Sequence, residues 1–255
     1  MLYGLYLSAQ GADAQTTRLD LIANNLANAQ TSAFKRDLAI FAARDPHDLR
    51  NQVPGQDLDE FNGCTGGTQL LDVVTDFSNG SQIQTGGTYD VALAGPGFFQ
   101  VADGDEQFLT RNGSLSVNAN GELVTKDGGL NVLDLGGVPI VIPAEAAHVE
   151  IGPDGSVSVI DETGARATGP SIAVVVPESL DELTKIGNSL YATESDVQPI
   201  NDQADVRQGY LEASGTQSVT EMLDLIEASR AFEANVNMIK FQDEALGRLL
   251  QAVPR

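Results

Sequence analysis

The side chains in this 255-residue chain able to do acid–base, metal or nucleophilic chemistry are 36 Asp and Glu, two His and one Cys. Their spacing is uninformative for catalysis. His47 and His148 stand far apart, and neither sits in the helical His-Glu-x-x-His arrangement that holds zinc. Cys64 is alone, so neither a multi-cysteine metal site nor an intramolecular disulfide can form. Gly is never followed by Lys, which excludes a phosphate-binding P-loop, and Gly-x-Ser-x-Gly is missing. Asp103-Gly104-Asp105-Glu106 has a calcium-like look but lacks the later ligands of an EF-hand loop, and it reads as a turn. A carboxylate pair for glycoside hydrolysis meets only in the fold and leaves no local signature. A secreted polysaccharide-acting enzyme with a β core is therefore the enzymatic alternative, and a monomeric adhesion or binding module is the other. The sequence predicts no catalytic residue, no cofactor and no metal.

Charge narrows the partners. The formal net charge is −22, yet residues 1–50 hold five basic and five acidic side chains, and residues 221–255 hold four and six. The middle therefore carries −20. A near-neutral pair of ends around an acidic middle argues against nucleic acid, which needs a basic face. It argues equally against an anionic membrane surface. No segment approaches the roughly 18 apolar residues of a membrane span, and no cleavable secretory signal is visible.

The elements that must position anything functional fall into three parts. Leu5, Ala12, Leu19 and Leu26 recur every seven residues, widened by Ala9, Ile22, Ala23 and Ala29, which predicts an amphipathic helix ending near Asn28. At the other end Met222, Leu225, Ser229, Phe232, Val236, Ile239, Asp243, Leu246 and Leu250 alternate in steps of three and four. Ser218 to Glu221 fits a capping box at the start of that helix. The spacing leaves two arrangements open: the stripes pack on each other, or both bury against the middle. The middle reads as short strands. Tyr89–Ala94 and Phe98–Val101 flank Gly95-Pro96-Gly97, while Ser114–Asn118 and Glu122–Lys126 flank a hairpin turn at Asn120-Gly121. Val149–Ile151 and Val157–Ile160 flank Asp154-Gly155, and Ser171–Val176 is a buried-looking run. One short helix is expected at Ser179–Ile186. Strands at this density imply an antiparallel sandwich or barrel. Residues 45–68 carry Pro54, Gly55, Gly63, Gly66 and Gly67 without periodicity, an irregular connection or extended arm.

Three stretches carry a resemblance. Ala23-Asn24-Asn25-Leu26-Ala27-Asn28, followed by Thr31, Phe34 and Lys35, resembles the N-terminal motif of the flagellar rod and hook axial proteins. Asp90–Val101, with Gly97-Phe98-Phe99, and the hairpin Leu109–Thr125 are similar to that family's central strands. Gly209–Ser214, then Glu221, Met222, Ile226, Arg230, Phe232 and Asn235, resemble its closing helix. Ala33 stands where the family prefers Gly, which argues against a left-handed turn there.

The resemblance implies an α+β fold. Terminal helices at 1–44 and 217–255 form an inner coiled-coil domain, 45–68 connects, and 69–216 forms a mainly antiparallel β-rich outer domain. It implies a structural subunit of the basal-body rod, helically polymerised into a hollow shaft across the periplasm and exported unprocessed by the flagellar type III apparatus. The implied partners are further copies of the chain and neighbouring rod and hook proteins, with no nucleic acid and no membrane insertion. Thr75–Gly80 and Ile226–Ala231 look nearer to the proximal rod type, with the distal rod and hook types as alternatives. Asn24, Asn25 and Asn28 are expected to hydrogen-bond neighbouring subunits or the backbone. The glycine and phenylalanines at 97–99 read as turn and core.

Overall fold

A computed structural model describes residues 2–44, 66–161, 164–193 and 195–252. They divide into two compact units, each made of chain segments distant in sequence. Cys64, His47 and most of the 45–68 arm lie outside the described residues.

The first unit takes the described residues of Met1–Ala27, Asp37–Asp76 and Gln217–Arg255. Helix α1 covers Leu2–Ala27. It stops where Asn28 begins a turn, in which the Thr31 amide and hydroxyl donate to the Asn28 carbonyl and side chain at 3.1 and 3.2 Å. That end agrees with the one expected near Asn28, but the rest of the 1–44 segment, assigned to the terminal-helix domain, contains strand β1, Asp37–Ala43, paired antiparallel with β2, Thr68–Thr75. Leu38, Ile40 and Phe41 are β-branched or bulky residues in near-alternation, the pattern of a strand and not of a helical stripe. The long C-terminal helix, α2, spans Ser218–Ala252 and is 35 residues against the 26 of α1. Ser218 is its first helical residue, so Gln217 rather than Ser218 precedes it. The Gln217 carbonyl accepts the Glu221 amide at 3.0 Å.

The second unit takes Asn28–Arg36 and the described residues of Phe77–Thr216. Its strands are β3 (Gln82–Gln84), β4 (Val91–Leu93), β5 (Phe98–Asp103), β6 (Glu106–Thr110), β7 (Leu115–Val117), β8 (Leu123–Thr125) and β9 (Asn131–Val132). There follow β10 (Ala146–Ile151), β11 (Ser156–Asp161), β12 (Arg166–Ser171), β13 (Val174–Pro177), β14 (Thr184–Gly187) and β15 (Leu190–Ala192). The last are β16 (Val197–Pro199), β17 (Val206–Gln208) and β18 (Tyr210–Glu212). The largest sheet runs β14-β15-β6-β5-β9-β8-β7, with β13 bridging β5 and β16, and every strand pairing among the described residues is antiparallel. β10, β11 and β12 form a second sheet, while β17 pairs β4 and β18 pairs β3. The helix expected at Ser179–Ile186 is absent. Thr184–Gly187 is a strand paired to β15, and Asn188 and Ser189 make its turn at φ 50° and 57°. The hairpin pairing of Lys185 with Tyr191, anchored by the pairing of Tyr191 with Leu109 in β6, outweighs helix propensity there.

Successive residues of a strand face opposite sides, and the Phe98-Phe99 pair exploits this. Phe99 enters the main core with Val101, Leu123, Val132 and Ile172. Phe98 joins a smaller cluster with Leu109, Val175 and Tyr191. Its ring meets those of Phe77 and Tyr191 at centroid distances of 5.9 and 5.6 Å, in edge-on geometry. Gly97 turns the chain into β5 at φ 121°, and a Cβ there would meet Ile200 and Val174 at 3.1 Å. The glycine is required on both counts.

Candidate functional site

Two sites emerge, one in each unit. The first is the pair of terminal helices. In α1, Gly4 lies against Gln242 and Gly11 against Asn235. A Cβ on either glycine would come within 3.1 and 3.0 Å of those amides. Both spacings are seven residues, so α1 and α2 run antiparallel in a fixed register. Asn235 and Gln242 lie on a stripe of α2 with Glu221, Leu225, Ala228, Phe232, Ile239 and Leu246, all buried or half-buried. Of the expected seam, Leu225, Ser229, Phe232, Val236, Ile239 and Leu246 are half-buried, while Met222 and Asp243 are exposed. Gly4 and Gly11 let the amides of Gln242 and Asn235 approach α1 closely.

A second apolar set on α2 is uncovered. Met222 is 51% exposed, Leu223 63%, Ile226 48% and Phe241 66%, with Val219 and Met238 also open. Arg230 is exposed beside them. Of the amides in the N-terminal motif, Asn24 is exposed, while Asn25 is buried. The Asn25 side chain donates to the Asp37 carbonyl at 2.9 Å and accepts the Asp37 amide at 3.0 Å, closing the chain reversal between α1 and β1. Leu26 is half-buried.

The second site lies in the β unit, where the segment Asn28–Arg36 crosses Tyr210–Thr216. Lys35 is 1% exposed and its ammonium donates to Glu212 Oε1 at 2.6 Å and to the Ser78 carbonyl at 2.8 Å. The same carboxylate oxygen accepts the Gly80 amide at 2.8 Å. Arg111, also buried, has a guanidinium nitrogen 3.6 Å from the other oxygen of Glu212 and donates to the Gly95 carbonyl and to Asn79. Its guanidinium lies over the Phe98 ring at 5.4 Å to the centroid. Burial pulls the Arg111 pKa below its ordinary value, and the charge of Glu212 pushes it back up. The backbones cross as well. The Ala33 amide donates to the Glu212 carbonyl at 2.9 Å and the Gly215 amide to the Phe34 carbonyl at 2.7 Å. The Ser214 hydroxyl donates to the Asn28 carbonyl at 2.9 Å, and Lys185 covers the Phe34 ring at 4.7 Å.

Ala33 corrects one expectation. It takes φ 55° and is 1% exposed, so the left-handed turn is kept although the residue is not glycine. That conformation costs an L-residue about 1–2 kcal/mol, which the hydrogen bond to Glu212 and burial of the methyl offset. Glu212 and Arg111 belong to motifs visible in the sequence, but nothing local shows that they meet Lys35, which is 177 residues from Glu212. Among the described residues no group of His, Cys, Asp and Glu could hold a metal ion, and no helix is long and apolar enough to cross a membrane.

An α+β chain whose terminal helices lie together, and whose buried Lys35–Glu212–Arg111 cluster ties backbone segments to one another, is built as a scaffold. Three family models match it: flagella basal body rod protein at residues 5–35, flagellar hook protein FlgE/F/G D1 domain at 92–159, and flagellar basal body rod FlgEFG protein C-terminal at 207–252. The flagellar basal-body rod protein FlgG of Bacillus subtilis is 32% identical over 98% of each chain. The rod protein FlgF of Caulobacter vibrioides is 38% identical over 92% of this chain and 91% of its own. The chain belongs to the flagellar basal-body rod protein family and serves as a structural rod subunit, not an enzyme.

Proposed function

We propose that this subunit polymerises through its terminal helices, which pair as a coiled coil within each copy and present the uncovered face of α2 to the next. The observation that carries this reading is the two-sided α2. One face is occupied by α1, while Met222, Leu223, Ile226 and Phe241 on the remainder are 48–66% exposed. Burying apolar surface contributes about 25 cal/mol per Å2, so covering four such side chains supplies several kcal/mol per contact. A head-to-tail contact between non-identical faces extends indefinitely, which suits a helical shaft and not a closed dimer. The shaft is the hollow rod across the periplasm, reached through the flagellar type III export apparatus without cleavage. The neighbours are other copies and adjoining rod and hook proteins. Within the rod the proximal segment is our assignment, resting on Thr75–Gly80 and Ile226–Ala231.

The terminal helices order on assembly, since much of their apolar surface has no partner in a single copy. Two measurements test this. Phe241→Ser raises the critical concentration for polymerisation at least tenfold, followed by sedimentation, while the monomer melts as before; unchanged polymerisation overturns the reading. Amide exchange on the free subunit shows fast exchange across Leu19–Leu26 and Phe232–Leu246; strong protection there counts against folding on assembly.

A further inference from the structure

The Lys35–Glu212 pair joins the two family motifs at the places where the chain leaves the β unit. Asn28 directly follows the last residue of α1, and Ser214 lies four residues before the first of α2. These two exits touch, through the Ser214 hydroxyl and the Asn28 carbonyl at 2.9 Å. The crossing is built as an interior. Ala33, Lys35, Glu212 and Thr216 are each 7% exposed or less. A Cβ on Gly215 would meet the Phe34 carbonyl at 3.1 Å, and one on Gly80 would meet the Ala213 carbonyl at 2.4 Å.

We infer that this crossing is a lock, closed by Lys35 and Glu212, that forms with the β unit before assembly and keeps the two helix bases side by side in the free subunit. The inference rests on the reading that α1 and α2 order only on assembly. Its function is to make their pairing intramolecular. Two segments held by short linkers see each other at an effective concentration in the millimolar range, far above that of a second copy. Without the lock, α1 of one copy and α2 of another compete for the same seam, and exchanged or branched assemblies result.

A buried ion pair is weak evidence for stability but a strong device for registry, because one partner left alone is a stranded charge. Here the pair also fixes the backbone: Glu212 carries the carbonyl that accepts the Ala33 amide, and Lys35 follows the carbonyl that accepts the Gly215 amide.

Amide exchange on the full-length monomer tests the lock residue by residue. In the wild type, Ala33 and Gly215 exchange at least 100-fold slower than unfolded peptide, together with Leu123 and Val124 of the β core. In Lys35→Met that protection falls at least tenfold while Leu123 and Val124 keep theirs. Should Lys35→Met fail to fold, Glu212→Gln, which retains an acceptor for Lys35 and Gly80, shows a smaller loss confined to the same two amides. Free exchange at Ala33 and Gly215 in a wild type whose β core is protected overturns the inference, and so does undiminished protection in both variants. Protection of Leu19–Leu26 in the monomer sinks the order-on-assembly reading instead, and it is read from different amides.

Discussion

The two units differ in how completely they satisfy themselves. In the β unit Val91, Val101, Leu123, Val132, Ile140 and Ile172 are all fully buried, at the close packing expected of a finished interior. The helical unit holds Ile22 and Ala228 inside, yet leaves seven large apolar side chains of α2 open. It also buries the side-chain carbonyls of Gln10, Gln15 and Gln242 without a donor. The β unit has open side chains of its own, among them Leu135, Val138 and Val141, and unmatched atoms on Arg111 and Glu212. These surround a large buried core, whereas the buried apolar residues described in the helical unit are Ala14, Ile22 and Ala228. A β-ribbon with Leu71 64% exposed adds to the deficit, since two strands by themselves are marginal in water. The lesson is a division of labour: one part of the chain is folded for itself, and the other is folded for its neighbours.

The largest test of that contrast is Phe99→Ala. It removes a fully buried ring from the β unit and destabilises it by about 3–5 kcal/mol in urea unfolding. A loss below about 1 kcal/mol would break the contrast. Next, Gly11→Val places branched carbon against Asn235, where even a Cβ is already at 3.0 Å. Overpacking of this kind costs about 1–3 kcal/mol, and it appears as lost polymerisation with an unchanged melting temperature of the β unit. Gln242→Leu then sharpens the comparison. Removing a buried acceptor that lacks a donor recovers about 1 kcal/mol, seen as increased helicity of the free subunit by circular dichroism.

The smallest effect is acidic. Asp90 is buried, which by itself raises its pKa, but hydrogen bonds from Lys126 and Thr85 and the charge of Lys126 outweigh that and hold it below its ordinary 3.8. A depressed carboxylate stabilises the fold fully above its unfolded pKa, and the contribution fades as pH falls below 3.8 towards the lower folded value. Asp90→Asn therefore lowers stability at pH 7 and flattens its dependence between pH 4 and 2, about the range in which an unperturbed carboxylate titrates. An unchanged pH profile would remove Asp90 from the account.

Much of the fold was legible because it is local. The hairpin at Asn118–Gly121 follows from Asn-Gly chemistry: Leu115–Val117 pairs Leu123–Thr125 and Gly121 takes φ 83°. The two terminal helices announce themselves by period. What local reasoning misses is set by contacts distant in sequence. Asp37–Ala43 becomes a strand because Thr68–Thr75 pairs with it. Asn235 and Gln242 come close to α1 because Gly11 and Gly4 leave room for their amides. Asn235 was singled out from its motif, but its partner Gly11 carries no signal of its own. Lys35 was visible as part of a motif, whereas its dependence on Glu212 exists only in three dimensions.

The helical unit is assembled from the beginning, an early stretch and the end of the polypeptide. Ribosomes add about 5–20 residues per second, so the roughly 190 residues between α1 and α2 keep the first helix waiting about 10–40 seconds for its mate. During that interval Gly4 and Gly11 hold open the places where Gln242 and Asn235 later pack. The open apolar residues Leu223, Ile226, Met238 and Phe241 of α2 are made only after the β unit.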